Sequence, residues 1–212
     1  WLWASEVGGH LWRTTGDIAD SWTDVPWCTT ASALGIDTIG FTLQRGLEAH
    51  AGPGRWNDPD MLVVGLHGRS RQITGAGCTD AEYRTHFSLW CLLAAPLMIG
   101  CDARHLSPCA REILGNREAI AVNQDPLGKQ GWWVGGGGEV WVKPLQGGEL
   151  AVGLFNRAPV RQQVAAYWCN LGVTGRWQVR DLWEHRNLGV FEGEFSAAVE
   201  PHGVVFLRLA PA

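Results

Sequence analysis

The chain is expected to fold as an α/β segment followed by an all-β one, and three observations lead there. Up to about Gly131 short apolar runs alternate with helical patterns, whereas Trp132 to Ala212 reads as short alternating strands separated by turn residues. With 212 residues, 46% of them hydrophobic and 18% charged, there is material for one large or two small cores. We therefore expect one domain over 1–131 and a second over 132–212.

In the first segment, Ile36, Ile39, Leu43 and Leu47 recur at helical spacing, which predicts a helix despite Gly35, Gly40 and Gly46. Thr79-Asp80-Ala81-Glu82 is a capping-box pattern, and Tyr83, Phe87, Trp90, Cys91 and Ala94 follow on one face, predicting a second helix that stops before Pro96. Leu97-Met98-Ile99 then reads as a buried strand ending at Gly100-Cys101-Asp102. Ser107-Pro108 supplies an N-cap and an N1 proline for a third helix. Strand and helix thus alternate three times, with carboxylates at the strand ends: Asp17, then Asp58 and Asp60, then Asp102. Parallel β/α barrels carry their chemistry at those ends. Three β/α units do not close a barrel, so the remaining strands are expected upstream of Trp1 or from another chain.

The second segment predicts six strands: Glu139 to Leu145, Leu150 to Asn156, Gln163 to Trp168, Arg176 to Trp183, Gly189 to Phe195 and Gly203 to Leu209. That pattern predicts an antiparallel sandwich. The Gly135 to Gly138 run and Gly147-Gly148 read as turns, since no G-K-[S/T] follows and no helix opens there to make a phosphate cradle. His202, before Gly203, is assigned to a turn.

Composition narrows the function classes. A net charge of -4 without a Lys/Arg cluster argues against nucleic acid and against a polybasic membrane patch. The longest apolar run, Phe87 to Ile99, is broken by Pro96 and falls short of the roughly 20 residues that span a bilayer. No targeting signal is legible ahead of Trp1. The six cysteines, at 28, 78, 91, 101, 109 and 169, form no C-x-x-C pair and no zinc-type array, so neither metal nor cofactor is expected. Cys91 and Cys101 sit in apolar contexts, which favours buried free thiols over disulfides. Most of the thirteen tryptophans should pack in the core, although an indole face also suits the C–H face of a sugar.

Two segments hold candidate chemistry. Trp12-Arg13-Thr14-Thr15-Gly16-Asp17-Ile18 places an Arg and an Asp four residues apart at a strand end. Asp17 could protonate a leaving oxygen while Arg13 grips substrate hydroxyls, or the two could be a structural ion pair. Gly52 to Leu62 sets Asp58 and Asp60 on either side of a rigid proline; EF-hand calcium fails there because the ligand positions and terminal Glu are absent.

The segments WRTTGDI, GPGRWNDPDMLVVG, EYRTHFSLWCLLAAPLMIGCD and IAVNQDPLGKQG occur in this order, and DLW and PHG follow near the end. The set resembles glycoside hydrolase family 27, the α-galactosidases or melibiases, over most of the chain. The resemblance implies the C-terminal portion of a (β/α)8 barrel plus an antiparallel β-sandwich, and retaining hydrolysis of terminal α-galactosides. It implies Asp17 as general acid/base, Arg13 as a contact to a galactose hydroxyl, Met61 as a lining of the sugar pocket, and Asp58 and Asp60 as support for that pocket. The family's nucleophile lies in a K-Y-D-N-C-like motif that this chain lacks, so the implied protein needs an upstream barrel half and this chain alone should be inactive. A related sugar, an α-N-acetylgalactosaminide or a β-L-arabinopyranoside, and a non-catalytic sugar-binding fragment are the alternatives.

Overall fold

A computed structural model describes residues 2–26, 32–70, 75–135 and 138–212. Strand β1 (Leu11–Arg13) runs parallel to β4 (Trp56–Asp58), with Arg13 beside Asp58. Between them, β2 (Val25–Pro26) and β3 (Ser32–Ala33) form a short antiparallel pair. Parallel bridges from Ile18 to Leu34 and from Leu62 to Ile99 continue the lateral order, so that β1, β4 and the Ile99 stretch lie side by side. This is the parallel arrangement that alternating strand and helix dictates.

The helix expected around Ile36 to Leu47 is instead one π-turn, Asp37–Thr42, followed by turns and a 3-10 turn at Glu48–His50. Glycine explains both the position and the brevity. A Cβ on Gly40 would lie 2.5 Å from Leu89 Cδ2, so the turn sits where only glycine lets it press on the next helix, and Gly46, at φ +78°, closes the turns that follow it. That next helix, α1 (Asp80–Leu92), carries the full capping box: Thr79 accepts from Glu82 N and Glu82 accepts from Thr79 N at 2.7 Å. Helix α2 (Pro108–Leu114) starts at the Ser107 cap with Pro108 inside it, and α3 (Arg117–Asn123) starts at Asn116.

The Leu97-Met98-Ile99 stretch departs from its reading as a buried strand. Met98 and Ile99 are 62% and 49% exposed, because the stretch is bridged to Leu62 on one side and open on the other. Leu11, on β1, is likewise exposed.

From Trp132 onward, β5 (Trp132–Trp133), β6 (Glu139–Pro144), β7 (Leu150–Phe155), β9 (Arg176–Asp181), β10 (Arg186–Glu192) and β12 (Val204–Pro211) form a six-stranded antiparallel sheet ordered β10-β9-β12-β7-β6-β5. Strands β8 (Gln162–Tyr167) and β11 (Glu194–Val199) pair separately and cover its outer face, completing the sandwich. The single strand expected over Gly189 to Phe195 is two, split where Gly193 takes φ +79° and the chain crosses from one sheet to the other. His202 does lie in a turn, at positive φ.

All six residues of β7 are buried because both faces of its sheet are covered. Val152 and Leu154 point into the sandwich with Val164 and Val199, whereas Ala151 and Phe155 join Phe41, Phe87 and Trp90 of the α/β part in one cluster. Gly153 makes the approach possible: a Cβ there would come within 2.8 Å of Leu92 Cδ1 on α1. Of the tryptophans, Trp12, Trp22, Trp90, Trp141, Trp168 and Trp177 are buried, while Trp3, Trp132 and Trp133 are exposed. Among the described residues five cysteines are free; Cys78 and Cys91 are buried, Cys101 and Cys109 are half-buried, Cys169 is exposed in the turn after β8, and Cys28 lies outside the described residues.

One buried charge lies in this seam. Lys143 on β6 is fully inaccessible, and its Nζ donates to two carbonyls distant in sequence, Cys91 O at 3.4 Å and Asn123 O at 3.3 Å. Burial pushes its ammonium down to about 8 from 10.5. A base whose folded pKa is lowered is penalised below that pKa and relieved as pH rises towards the unfolded value. Relative to Lys143→Met, the stability of the native sequence should therefore rise by about 3 kcal/mol between pH 7 and pH 11, the free-energy equivalent of that shift, in denaturant titrations across the range. A flat difference would show that burial does not lower the affinity of this amine for its proton.

Candidate active site

The parallel pairing of β1 and β4 brings together the segments that follow them. Beyond β1 the chain runs Thr14 to Asp17; beyond β4 it turns at Pro59-Asp60. Thr14 N donates to Asp58 O at 2.9 Å and the Thr15 hydroxyl to Pro59 O at 2.9 Å, stitching the two exits to each other.

Asp60 is where they converge. Its Oδ2 accepts from Arg13 Nη2 at 2.9 Å and from the amide of Ile18 at 2.8 Å, and its Oδ1 accepts from Met61 N at 2.7 Å. A non-glycine residue at φ 96° is costly, and Asp60 holds that conformation because both of its own peptide groups are tied by side chains. Its N donates to Asp58 Oδ1 at 2.9 Å, and its O accepts from Trp90 Nε1 at 2.8 Å. Asp58 is itself buried.

Asp17 is the contrasting carboxylate. Its side chain is 62% exposed, and its ion-pair partner is Arg13, 3.4 Å away, which also donates to Gly16 O at 2.8 Å. The backbone beneath it is fixed on both sides: Leu34 N donates to Asp17 O, and the next amide, that of Ile18, is the one Asp60 holds. An exposed carboxyl on an anchored backbone beside a guanidinium can exchange protons with a bound substrate.

Met61 follows directly and leans on Gly100, where a Cβ would fall 2.5 Å from its Sδ. Arg13, Asp17, Asp58, Asp60 and Met61 are thus contiguous. Asp102 is not in this network; it bonds Arg104 and His105, and the Arg104 guanidinium holds its carboxyl well below the usual range. Among the described residues no cluster of three or more His, Cys, Asp or Glu side chains could hold a metal ion.

Sequence reasoning missed the supports. Asp20 is fully buried and accepts from Gly68 N, Cys78 N and the Tyr83 hydroxyl, tying the loop after Asp17 to the start of α1. A buried carboxylate needs such donors, but an aspartate in a loop carries no sequence mark of burial. Behind β1 and β4, Trp12 donates to Asn57, which donates to Gln130. For Trp90 there was a signal: an indole on the core face of a helix requires an acceptor for its N–H.

Comparison with known proteins matches residues 5–125 to the family described as alpha galactosidase A and residues 135–209 to the alpha galactosidase C-terminal beta sandwich domain. An α-galactosidase of Oryza sativa subsp. japonica is 44% identical over 99% of this chain and 46% of its own length. Among solved structures, α-galactosidase I of Mortierella vinacea superposes with a TM-score of 0.83 at 27% identity, over 98% of this chain and 55% of that one. A family 27 β-L-arabinopyranosidase of Geobacillus stearothermophilus gives 0.82 at 27% identity, over 96% of this chain and 45% of that one. The chain spans about half the length of the curated relatives it matches.

The backbone of Asp60 leads to a stability ordering. Asp60→Ala loses the carboxylate bonds and keeps the strained φ, whereas Asp60→Gly loses the same bonds but tolerates it. Both variants should be destabilised, and Asp60→Gly should retain about 1 kcal/mol more than Asp60→Ala by thermal or denaturant unfolding. The reverse order would mean that Asp60 is not strained in solution.

Proposed function

Because this chain belongs to the α-galactosidase (melibiase) family, we propose that it supplies the acid/base half of a retaining glycoside hydrolase acting on terminal α-D-galactosyl residues. The observation that carries the reading is the pairing of one exposed and one anchored carboxylate about Arg13: Asp17 free to reach substrate, Asp60 held in place.

In this proposal residues 1–131 are the last three β/α units of a (β/α)8 barrel and 132–212 the sandwich domain. The exposed edges at Leu11 and at Met98-Ile99 accept the barrel strands of an upstream half, which also brings the nucleophilic carboxylate. Retaining enzymes hold their two carboxyl groups roughly 5–5.5 Å apart. Protonated Asp17 donates to the glycosidic oxygen while the nucleophile bonds to C1 and the C1–O bond breaks. As carboxylate, Asp17 then takes a proton from the water whose oxygen attacks C1, releasing the sugar and the nucleophile. Arg13 grips a hydroxyl next to the reacting centre, Met61 lines the pocket, and Asp58 and Asp60 keep the Asp17 backbone in register.

Hydrolysis of p-nitrophenyl α-galactoside by this chain alone, and again with the upstream half co-expressed, tests the reading. Activity only on complementation is the expected result. Silence from a folded assembly, with turnover of α-N-acetylgalactosaminide or β-L-arabinopyranoside analogues, would move the assignment to another sugar of the family, and silence on all of them would leave a non-catalytic sugar-binding protein. In the complemented enzyme Asp17→Asn should lose least on substrates whose leaving group needs no proton; equal losses on activated and natural galactosides would remove Asp17 from the acid/base role.

A further inference from the structure

We infer that Trp90, on helix α1 behind the strands, is a positioning residue for the site: its indole N–H holds the Asp60 peptide turned so that the Asp60 carboxylate can grip Arg13 and the Ile18 amide together. The inference relies on the reading above only for what that grip serves.

The geometry runs through one carbonyl. At φ 96° the Asp60 peptide is turned out of the strand ladder, and its oxygen is taken by Trp90 Nε1 at 2.8 Å. Trp90 is fully buried, so without the indole N–H the Asp60 oxygen would be left beside an apolar helix face, and the turned peptide would lose what offsets its strain. The carboxylate carbon, three bonds from that carbonyl carbon on the same residue, then has no fixed origin. It is this carboxylate that binds Arg13 Nη2 and Ile18 N on either side of Asp17.

The indole is in turn braced. His86, one helical turn earlier on α1, packs edge-on to Trp90 with ring centroids 4.1 Å apart, and its Nε2 accepts from Val63 N at 3.2 Å. That bond fixes the imidazole as the Nδ1–H tautomer, and full burial keeps it neutral by pushing its pKa down to about 3. On the other side of Trp90, Gly40 admits the ring edge, a Cβ there being 3.1 Å from Trp90 Cζ3. The segment Asp60 to Val63 is therefore gripped twice by one face of α1, once at a carbonyl and once at an amide. Hydrophobic packing alone would require a ring of this size but no N–H.

The test uses the full-length protein that carries this chain. Trp90→Phe keeps an aromatic ring and deletes the donor. With p-nitrophenyl α-galactoside it should lower kcat/KM on the order of 100-fold, the cost of misplacing a reacting group by about an ångström, while thermal melting shows the protein folded at the assay temperature. The loss should vanish in the Asp60→Asn background, since both changes break one linkage. Unchanged activity, or losses that multiply in the double variant, would overturn the role, because damage from packing does not depend on the Asp60 carboxylate. A second measurement needs neither activity nor the Phe variant. The 19F resonance of 5-fluorotryptophan placed at position 90 alone should move when Asp60→Asn is introduced; an unmoved resonance overturns the linkage. If the wild-type protein hydrolyses no galactoside but the resonance moves, the substrate assignment fails and the positioning role stands.

Discussion

The carboxylate of Asp60 is the constraint on which the site depends. It is bound to a guanidinium from β1, to the amide just past Asp17 and to the amide of its own successor, and its backbone is anchored to Asp58 and to Trp90. Charge-assisted bonds of this kind are short and directional. Two chain exits separated by more than forty residues are thereby locked in one register, while Asp17 itself is left exposed. Rigid support under a solvent-accessible carboxyl suits proton transfer, the role proposed above for Asp17.

That support extends into the second half of the chain. Helix α1 lies between the strand ends and the six-stranded sheet, close to both because Gly40 on one side and Gly153 on the other leave no Cβ in the way. Polar ties reinforce the seam at its edges. Arg157 pairs with Asp37 and Glu139, Arg180 with Glu118, and His202 stacks on Trp22 at 4.4 Å while bonding Glu82. Trp22 belongs to the loop that follows Asp17, so the β-sandwich braces the loop that carries the exposed acid. The sandwich accordingly works as a buttress for the α/β part, sharing its core through Trp141, Phe155 and Phe206.

Much of this was legible from the residues. The capping box at Thr79, the Ser107-Pro108 start and the period-two strands after Trp132 each rest on local chemistry that tertiary contacts did not override. The failures have tertiary causes. The apolar period from Ile36 to Leu47 marks buried positions, but Gly40 serves close packing on α1 rather than helix continuity. Leu97 to Ile99 has the composition of a strand covered on both sides, yet a strand's burial is set by its neighbours: Leu97 packs on the core, while among the described residues the stretch is bridged at Leu62 alone and Met98 and Ile99 stay exposed. Gly189 to Phe195 hid a sheet crossing because one glycine at positive φ suffices to make it. Within the site, residue types and spacing named Arg13, Asp17, Asp58 and Asp60 as candidates, and the family resemblance added Met61; Asp20 was invisible because its burial and partners depend on segments far along the chain, and the buried indole of Trp90 called for an acceptor without saying which.

In the role proposed for it, Asp17 faces the glycosidic oxygen while Asp60 holds it there. A crystal structure of the full-length protein with a non-hydrolysable α-galactoside measures this directly. The account predicts the Asp17 carboxyl within hydrogen-bond reach of the glycosidic oxygen, a second carboxylate roughly 5–5.5 Å away across C1, and the Arg13–Asp60 pair intact. A sugar bound with Asp17 out of reach of that oxygen, or with Arg13 released from Asp60, would contradict it.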